Sequence, residues 1–84
     1  MSPNARRPTV ERQVRRRHLA IVRKIGQDIL QLRTDAAATQ GRVSTIAGID
    51  RSHVARIEAG TANASIETLI ALATALGAEL SIRF

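Results

Sequence analysis

The chain has 84 residues, a formal net charge of +6, no cysteine and one aromatic residue. Its length fits one small domain; without cysteine there is no disulfide framework and no thiolate metal site, and the two histidines lie far apart, so we expect no metal and no cofactor. No apolar run approaches the roughly 20 residues of a membrane span, base stacking on aromatic platforms is excluded, and the charge indicates a polyanionic partner.

The positive charge is concentrated at the N-terminus. Residues 1–24 carry eight basic residues against one acid, a net charge of +7, whereas residues 25–84 have a net charge of −1. We expect residues 1–9, which include two prolines, to be a disordered basic leader and residues 10–84 to form one domain. The basic N-terminal segment, residues 1–24, either binds DNA phosphates through Arg15, Arg16 and Arg17 or is merely solvated.

The first predicted element is a long helix. From Val10 to Leu32 apolar residues recur at intervals that are multiples of three or four. This pattern predicts a helix over about 10–34, with Thr9 near its start and only Gly26 weakening it. Such a helix is longer than a small domain needs, so we expect its first half to project or fray.

Three short helices follow. Thr39, Asp50 and Ser65 are good N-cap residues, and they predict helix starts at the next position in each case. Glycines end these helices, at Gly48, Gly60 and Gly77. The predicted ranges are 40–47, 51–59 and 66–76.

After the last glycine the period changes to that of a strand. Apolar residues alternate with polar ones, which predicts a strand over 78–84. The sequence contains no second strand, so we expect this one to pair with the same strand of a second copy. The residues assigned to dimerisation are Glu79, Leu80, Ser81, Ile82, Arg83 and Phe84. Alternatively the tail is frayed, folds back on its own core, or pairs with another protein or with residues beyond Phe84.

The segment 39–60 carries the functional signal. Two short helices meet across a turn at Gly48, and apolar or small residues at the facing positions let them pack on each other; these are Val43, Ser44, Ala47, Ile49, Val54 and Ile57. This is a helix-turn-helix, whose second helix can enter the DNA major groove. The predicted fold is therefore all-α: a compact helical bundle with a central helix-turn-helix, a long first helix and a short C-terminal β-strand.

From about residue 25 to 80 the chain resembles the Cro/CI-type (XRE) helix-turn-helix family of phage repressors and bacterial regulators. The motifs that carry the resemblance are Leu32-Arg33, Thr39-Gln40, Gly48-Ile49, Arg51-Ser52, Arg56-Ile57-Glu58, Gly60 and Leu69-Ile70-Ala71-Leu72-Ala73. The first short helix departs from the family pattern at Gly41, Val43 and Ser44.

The resemblance implies roles for individual residues. It implies that base edges are read by Arg51, Ser52, Ala55 and Arg56. It implies that the DNA backbone is contacted by Thr39, Gln40, His53 and Asn63. Arginine can bind guanine O6 and N7 in a bidentate way, and alanine can touch a thymine methyl. The family also has an ion pair at positions that match Arg33 and Glu58, and each of these charges lies beside a core residue and needs a partner.

These features predict a cytoplasmic, nucleoid-associated regulator of transcription that binds double-stranded DNA sequence-specifically, most simply as a homodimeric repressor with the 51–58 helix in the major groove. One alternative is an antitoxin that binds a toxin protein and regulates its own operon. Another is a nonspecific architectural protein whose affinity hardly varies with sequence. No nucleophile–base pair or phosphate loop is visible, so we expect no enzyme activity and no membrane partner.

Overall fold

The computed structural model describes residues 9–83, and these contain four α-helices. Their bounds are Val10–Asp35 for α1, Gln40–Ala47 for α2, Arg51–Glu58 for α3 and Ile66–Ala75 for α4. Residues 1–8 of the predicted leader, and Phe84, lie outside the described residues. The four predicted helices are confirmed, each to within one residue at either end.

Helix α1 is much longer than the body that it supports. Its 26 residues span about 39 Å, and the molecule measures 56 × 25 × 20 Å. Thr9 is the N-cap, and its hydroxyl oxygen accepts a hydrogen bond from the backbone N–H of Arg12 at 3.1 Å. Residues 10–21 are all exposed, and burial is complete only at Gly26 and Ile29. The first half of α1 therefore projects from the body as an intact helix.

The connection from α1 to α2 turns on an unexpected residue. Ala37 has a φ of 54°, in the left-handed region that an alanine seldom adopts. The backbone N–H of Ala38 donates to the carbonyl of Arg33 at 3.1 Å, and the Arg33 guanidinium donates back to the carbonyl of Ala38 at 2.9 Å. These bonds hold the turn in this conformation without the glycine that sequence rules expect there.

Helices α2 and α3 form the predicted helix-turn-helix. Gly48 ends α2 with a φ of 70°, a conformation that glycine adopts without steric cost. The buried Ser44 donates a hydrogen bond from its hydroxyl to the carbonyl of Gly41 at 2.8 Å, so its polar group has a partner. Asp50 stands at the predicted N-cap of α3 but makes no side-chain capping bond.

One hydrophobic core joins the four helices. It is built from Ile29, Val43, Val54, Ile57, Leu69 and Leu72. Helix α1 packs against α3, and α2 packs against both α3 and α4. Partly buried residues of the turns close the core, among them Ala38, Ile49 and Ala62. The structure thus places the helix-turn-helix on a fixed platform made by α1 and α4.

The predicted strand over 78–84 is wrong for the part of this segment that the structure describes. Residues 78–83 have no regular secondary structure, because the described chain offers no second strand with which they can pair. Leu80 packs against the core, whereas Ile82 is 58% exposed, so the alternating residues do not form one apolar face. The bundle is all-helical, with an irregular tail.

Over residues 9–83, none of the helices is both long enough and apolar enough to cross a membrane.

Candidate DNA-binding surface

Helix α3 presents one polar arc to solvent. Arg51, Ser52 and Arg56 are exposed, and Ala55 is half-buried between them. At 100° per residue these four positions span an arc of about 140°. The opposite side of the helix carries Val54, which is fully buried. The four residues predicted to read bases therefore share one face, with two guanidinium groups and a hydroxyl on it.

The packing behind α3 fixes the direction in which this face points. Gly26 of α1 lies directly against the last turn of α3: a Cβ built at Gly26 would overlap the carbonyl oxygen of Ile57 and would lie 2.9 Å from that of Glu58. Two helix backbones come this close only where one residue has no side chain. The sequence predicts only that Gly26 weakens α1, and no local pattern reveals this contact.

A polar network ties α3 to α1 and α2. Arg33 donates from Nε to Oε2 of Glu58 at 2.6 Å and from Nη2 to Oε1 at 3.0 Å, a bidentate ion pair. Gln40 donates from Nε2 to the same Oε1 at 2.9 Å. The Glu58 side chain is only 5% exposed. One buried carboxylate thus joins the end of α1, the start of α2 and the end of α3.

The charge of Glu58 is maintained by its partners. Burial by itself would raise the pKa of the Glu58 carboxyl, but the hydrogen bonds from Arg33 and Gln40 and the Arg33 charge outweigh it and lower that pKa below its ordinary value. The hydrogen bond to Glu58 in turn raises the pKa of Arg33. Both groups are therefore charged at neutral pH, and the pair is structural.

The residues predicted to contact the DNA backbone differ in their surroundings. The Thr39 hydroxyl caps α2 by accepting from the N–H of Arg42 at 3.0 Å. The amide nitrogen of Gln40 is occupied by Glu58. His53 is half-buried, and Asn63 is exposed beside a cavity of about 140 Å³ against α1. For all of these residues the DNA contact stays a prediction.

Other basic residues lie outside the exposed face of α3. Arg15, Arg16 and Arg17 lie on the projecting half of α1, outside the helix-turn-helix. Arg42 is an exposed basic residue in the first turn of α2 and was not among the residues predicted to contact DNA. The signal for it was its place in the first turn, three residues after the predicted capping residue Thr39. Among residues 9–83, no group of three or more potential metal ligands is close enough to hold an ion.

Comparison with known proteins identifies the family. A family model described as helix-turn-helix, HTH_3, matches residues 29–82. The chain belongs to this XRE-type helix-turn-helix family, as the resemblance in its sequence predicted, and it is a DNA-binding transcription regulator.

One solved structure is similar in both sequence and fold. It is the crystal structure of the restriction-modification controller protein C.AhdI from Aeromonas hydrophila, with 38% sequence identity and a TM-score of 0.69. The shared part covers 71% of this chain and 91% of that one. No curated protein matches the chain. The family match begins within α1, so the projecting half of that helix lies outside it.

Proposed function

We propose that the protein is a sequence-specific, homodimeric transcriptional repressor that inserts α3 into the major groove of its operator, at the nucleoid. The observation that carries this proposal is the exposed arc of α3, which presents Arg51, Ser52 and Arg56 together while Val54 and Ile57 fix the opposite side. Guanidinium and hydroxyl groups on one helix face suit base edges in the major groove. Repression follows because a protein bound over a promoter blocks its use.

The homodimer is part of this proposal. Two copies related by a two-fold axis would place two α3 helices on one side of the DNA, about 34 Å apart, and would double the contacts to a palindromic operator. Sedimentation equilibrium of the free protein measures this directly. A monomer at micromolar concentration, with or without operator DNA, would contradict it.

The likeness to a restriction-modification controller supports a role in controlling gene expression rather than toxin neutralisation. The antitoxin alternative has a simple test in the native host, where a tagged protein is purified and its stoichiometric partners are identified. A co-purifying small toxic protein would favour the antitoxin; recovery of operator DNA with the protein alone would favour the repressor.

The first prediction concerns base reading. Arg51→Ala is expected to remove the preference at one base position per half-site, a loss of about 1–3 kcal/mol of discrimination, while nonspecific affinity is largely retained. Selection from a random DNA library gives the sites bound by each variant. Arg12→Ala is the control, since it removes an exposed arginine of α1 that lies outside the helix-turn-helix. Identical selected sites for Arg51→Ala and the wild type would refute the base-reading role.

The second prediction concerns the arginines on the projecting half of α1. Replacing Arg15 and Arg16 with glutamine is expected to weaken binding to all sequences alike. Each lost phosphate contact accounts for about 0.9 in the slope of log K against log salt, so the slope should fall by about 1.8 per protomer, or about 3.6 for a bound dimer. Nitrocellulose filter binding across a salt series measures this slope. An unchanged slope would mean that these arginines are only solvated.

A further inference from the structure

The first half of α1 carries an apolar stripe that no other described residue covers. Val10, Val14 and Ile21 are 74%, 57% and 57% exposed. At 100° per residue they lie within about 40° of one another around the helix. They continue the side of α1 by which Ile25 and Ile29 enter the core. Exposed apolar surface of this kind, on a helix that is otherwise strongly charged, marks an interaction site.

The second half of α1, from Ile25 to Leu32, borders a groove. This groove has a volume of about 280 Å³ and lies between α1, α4 and the C-terminal segment. Most of its lining is apolar and includes Ile25, Ile29, Leu32, Leu69, Ala73 and Leu80. Two exposed carboxylates, those of Asp28 and Glu79, also line it, and Asp28 is ion-paired with Lys24 of its own chain at 2.6 Å. An apolar groove with acidic edges suits an apolar helix face with basic flanks.

Residues 10–24 of α1 have this chemistry: they are the projecting residues 10–21 and the first three residues that reach the body. We call residues 10–24 the α1 arm. It holds six basic residues against Glu11, and these are Arg12, Arg15, Arg16, Arg17, Arg23 and Lys24. We propose that the α1 arm of a second copy occupies the groove, so that two antiparallel α1 helices pair about a two-fold axis at Ile21. This deepens the homodimer proposed above by naming its surface.

The position of the axis follows from the exposed residues. Ile21 is midway between Val10 and Leu32, the two ends of the exposed apolar face of α1. A two-fold axis at Ile21 brings Val10 of each copy onto Leu32 of the other and sets Ile21 against its own counterpart. Aliphatic side chains thus meet at the centre and at both ends of the pair.

The charges are compatible with the same arrangement. Arg17 flanks the stripe and comes within three residues, about 4.5 Å along the helix axis, of the level of Asp28 in the second copy. The other four arginines of the arm lie about 120–180° away from the stripe around α1. Lys24, which pairs with Asp28 of its own chain, lies about 60° from the stripe. Four of the six basic side chains therefore stay outside the interface, and Arg15 and Arg16 are among those free to bind DNA.

Disulfide trapping tests the axis, because the natural chain contains no cysteine. Ile21→Cys places two thiols across the axis, where we expect a disulfide-linked dimer to form at least about tenfold faster than with Leu19→Cys. Leu19 is the matched control: it is 48% exposed on the same helix but faces about 160° away from Ile21. Equal rates for the two variants would overturn the proposed axis.

With the two-fold axis at Ile21, Val14 lies opposite Asp28 of the second copy. A charge introduced at Val14 therefore tests whether the two helices pair in this way. Val14→Asp sets two carboxylates against each other, and we expect it to weaken dimerisation at least about 100-fold in sedimentation equilibrium. Val14→Lys sets an ammonium against the carboxylate and should weaken dimerisation less. Val14 is exposed in the single chain, so the helical content of both variants, measured by circular dichroism, should match the wild type.

The outcomes separate this inference from the homodimer itself. If the wild type is dimeric but Val14→Asp remains as dimeric as the wild type, the arm is not the interface and only this inference fails. If the wild type is monomeric, both the inference and the proposed homodimer fail. A wild-type dimer with weakened Val14→Asp pairing and fast Ile21→Cys cross-linking would support both.

Discussion

Gly26→Ala is expected to destabilise the fold by about 2 kcal/mol or more, although alanine is the better helix former by about 1 kcal/mol. The new methyl group would overlap the carbonyl oxygen of Ile57 and would lie 2.9 Å from that of Glu58. Both atoms belong to the backbone, so no side-chain rotation relieves the contact. Helix α1 must instead move away from α3, and the core between them opens. Urea unfolding followed by circular dichroism measures the loss.

Gly41→Ala is the matched control, because Gly41 also lies within a helix. A Cβ there would meet only the hydroxyl of Thr39, at 3.9 Å, an ordinary contact. Helix propensity alone then decides the outcome, and we expect a gain of up to about 1 kcal/mol. Opposite signs for the same chemical change would locate the effect in the α1–α3 contact. A stabilised Gly26→Ala variant would show that the two helices are not this close.

Glu58→Ala is expected to cost about 3–5 kcal/mol, because it leaves the partly buried Arg33 guanidinium without its carboxylate. The same variant removes the acceptor of Gln40 Nε2. A double-mutant cycle with Arg33→Ala isolates the coupling energy, since neither single change by itself measures the pair. The control is Lys24→Ala. Lys24 and Asp28 also form an ion pair, but their side chains are 71% and 54% exposed and solvent screens them, so that change should cost far less.

Acid should remove the same stabilisation. The pKa of Glu58 is lower in the folded protein than its ordinary value of about 4.3 in an unfolded chain. The folded state therefore binds fewer protons, and this contribution to stability is complete above that ordinary pKa and is lost as the pH falls through the lower, folded-state value. The difference in unfolding free energy between the wild type and Glu58→Gln should be constant near neutral pH and should shrink in acid. A difference that does not change with pH would contradict the shifted pKa.

The helices were predictable because their signals are local. Thr39 and Ser65 are predicted capping residues, and their side chains accept backbone bonds as expected; Thr9 caps α1 in the same way. The apolar residues of each helix recur every three or four positions or multiples of that spacing, and this pattern can be recognised in the sequence without knowledge of the fold. Asp50 marked the start of α3 correctly, although it makes no capping bond. Local chemistry thus predicted where the helices lie, and the family resemblance predicted how they assemble.

What could not be predicted depends on contacts between distant parts of the chain. The left-handed Ala37 is held by Arg33, and the pattern of residues gives no sign of it. The strand failed for the same reason, since alternation at residues 80–84 specifies a strand only if a partner strand exists. In the candidate site, the exposed arc of α3 follows from helical periodicity alone. The bond from Gln40 to Glu58 joins residues 18 positions apart, and no local rule predicts it.

Because α1 is one uninterrupted helix, a mutation in its exposed half can change the orientation of that half without changing the body. Residues 10–21 are exposed along their whole length, while the body is held from Val22 onward. Inserting or deleting one residue before Ile21 would turn everything on its N-terminal side by about 100° and shift it by 1.5 Å, and it would leave the body untouched. The length of this segment therefore sets the direction in which the arginines and the apolar stripe of the α1 arm face relative to α3.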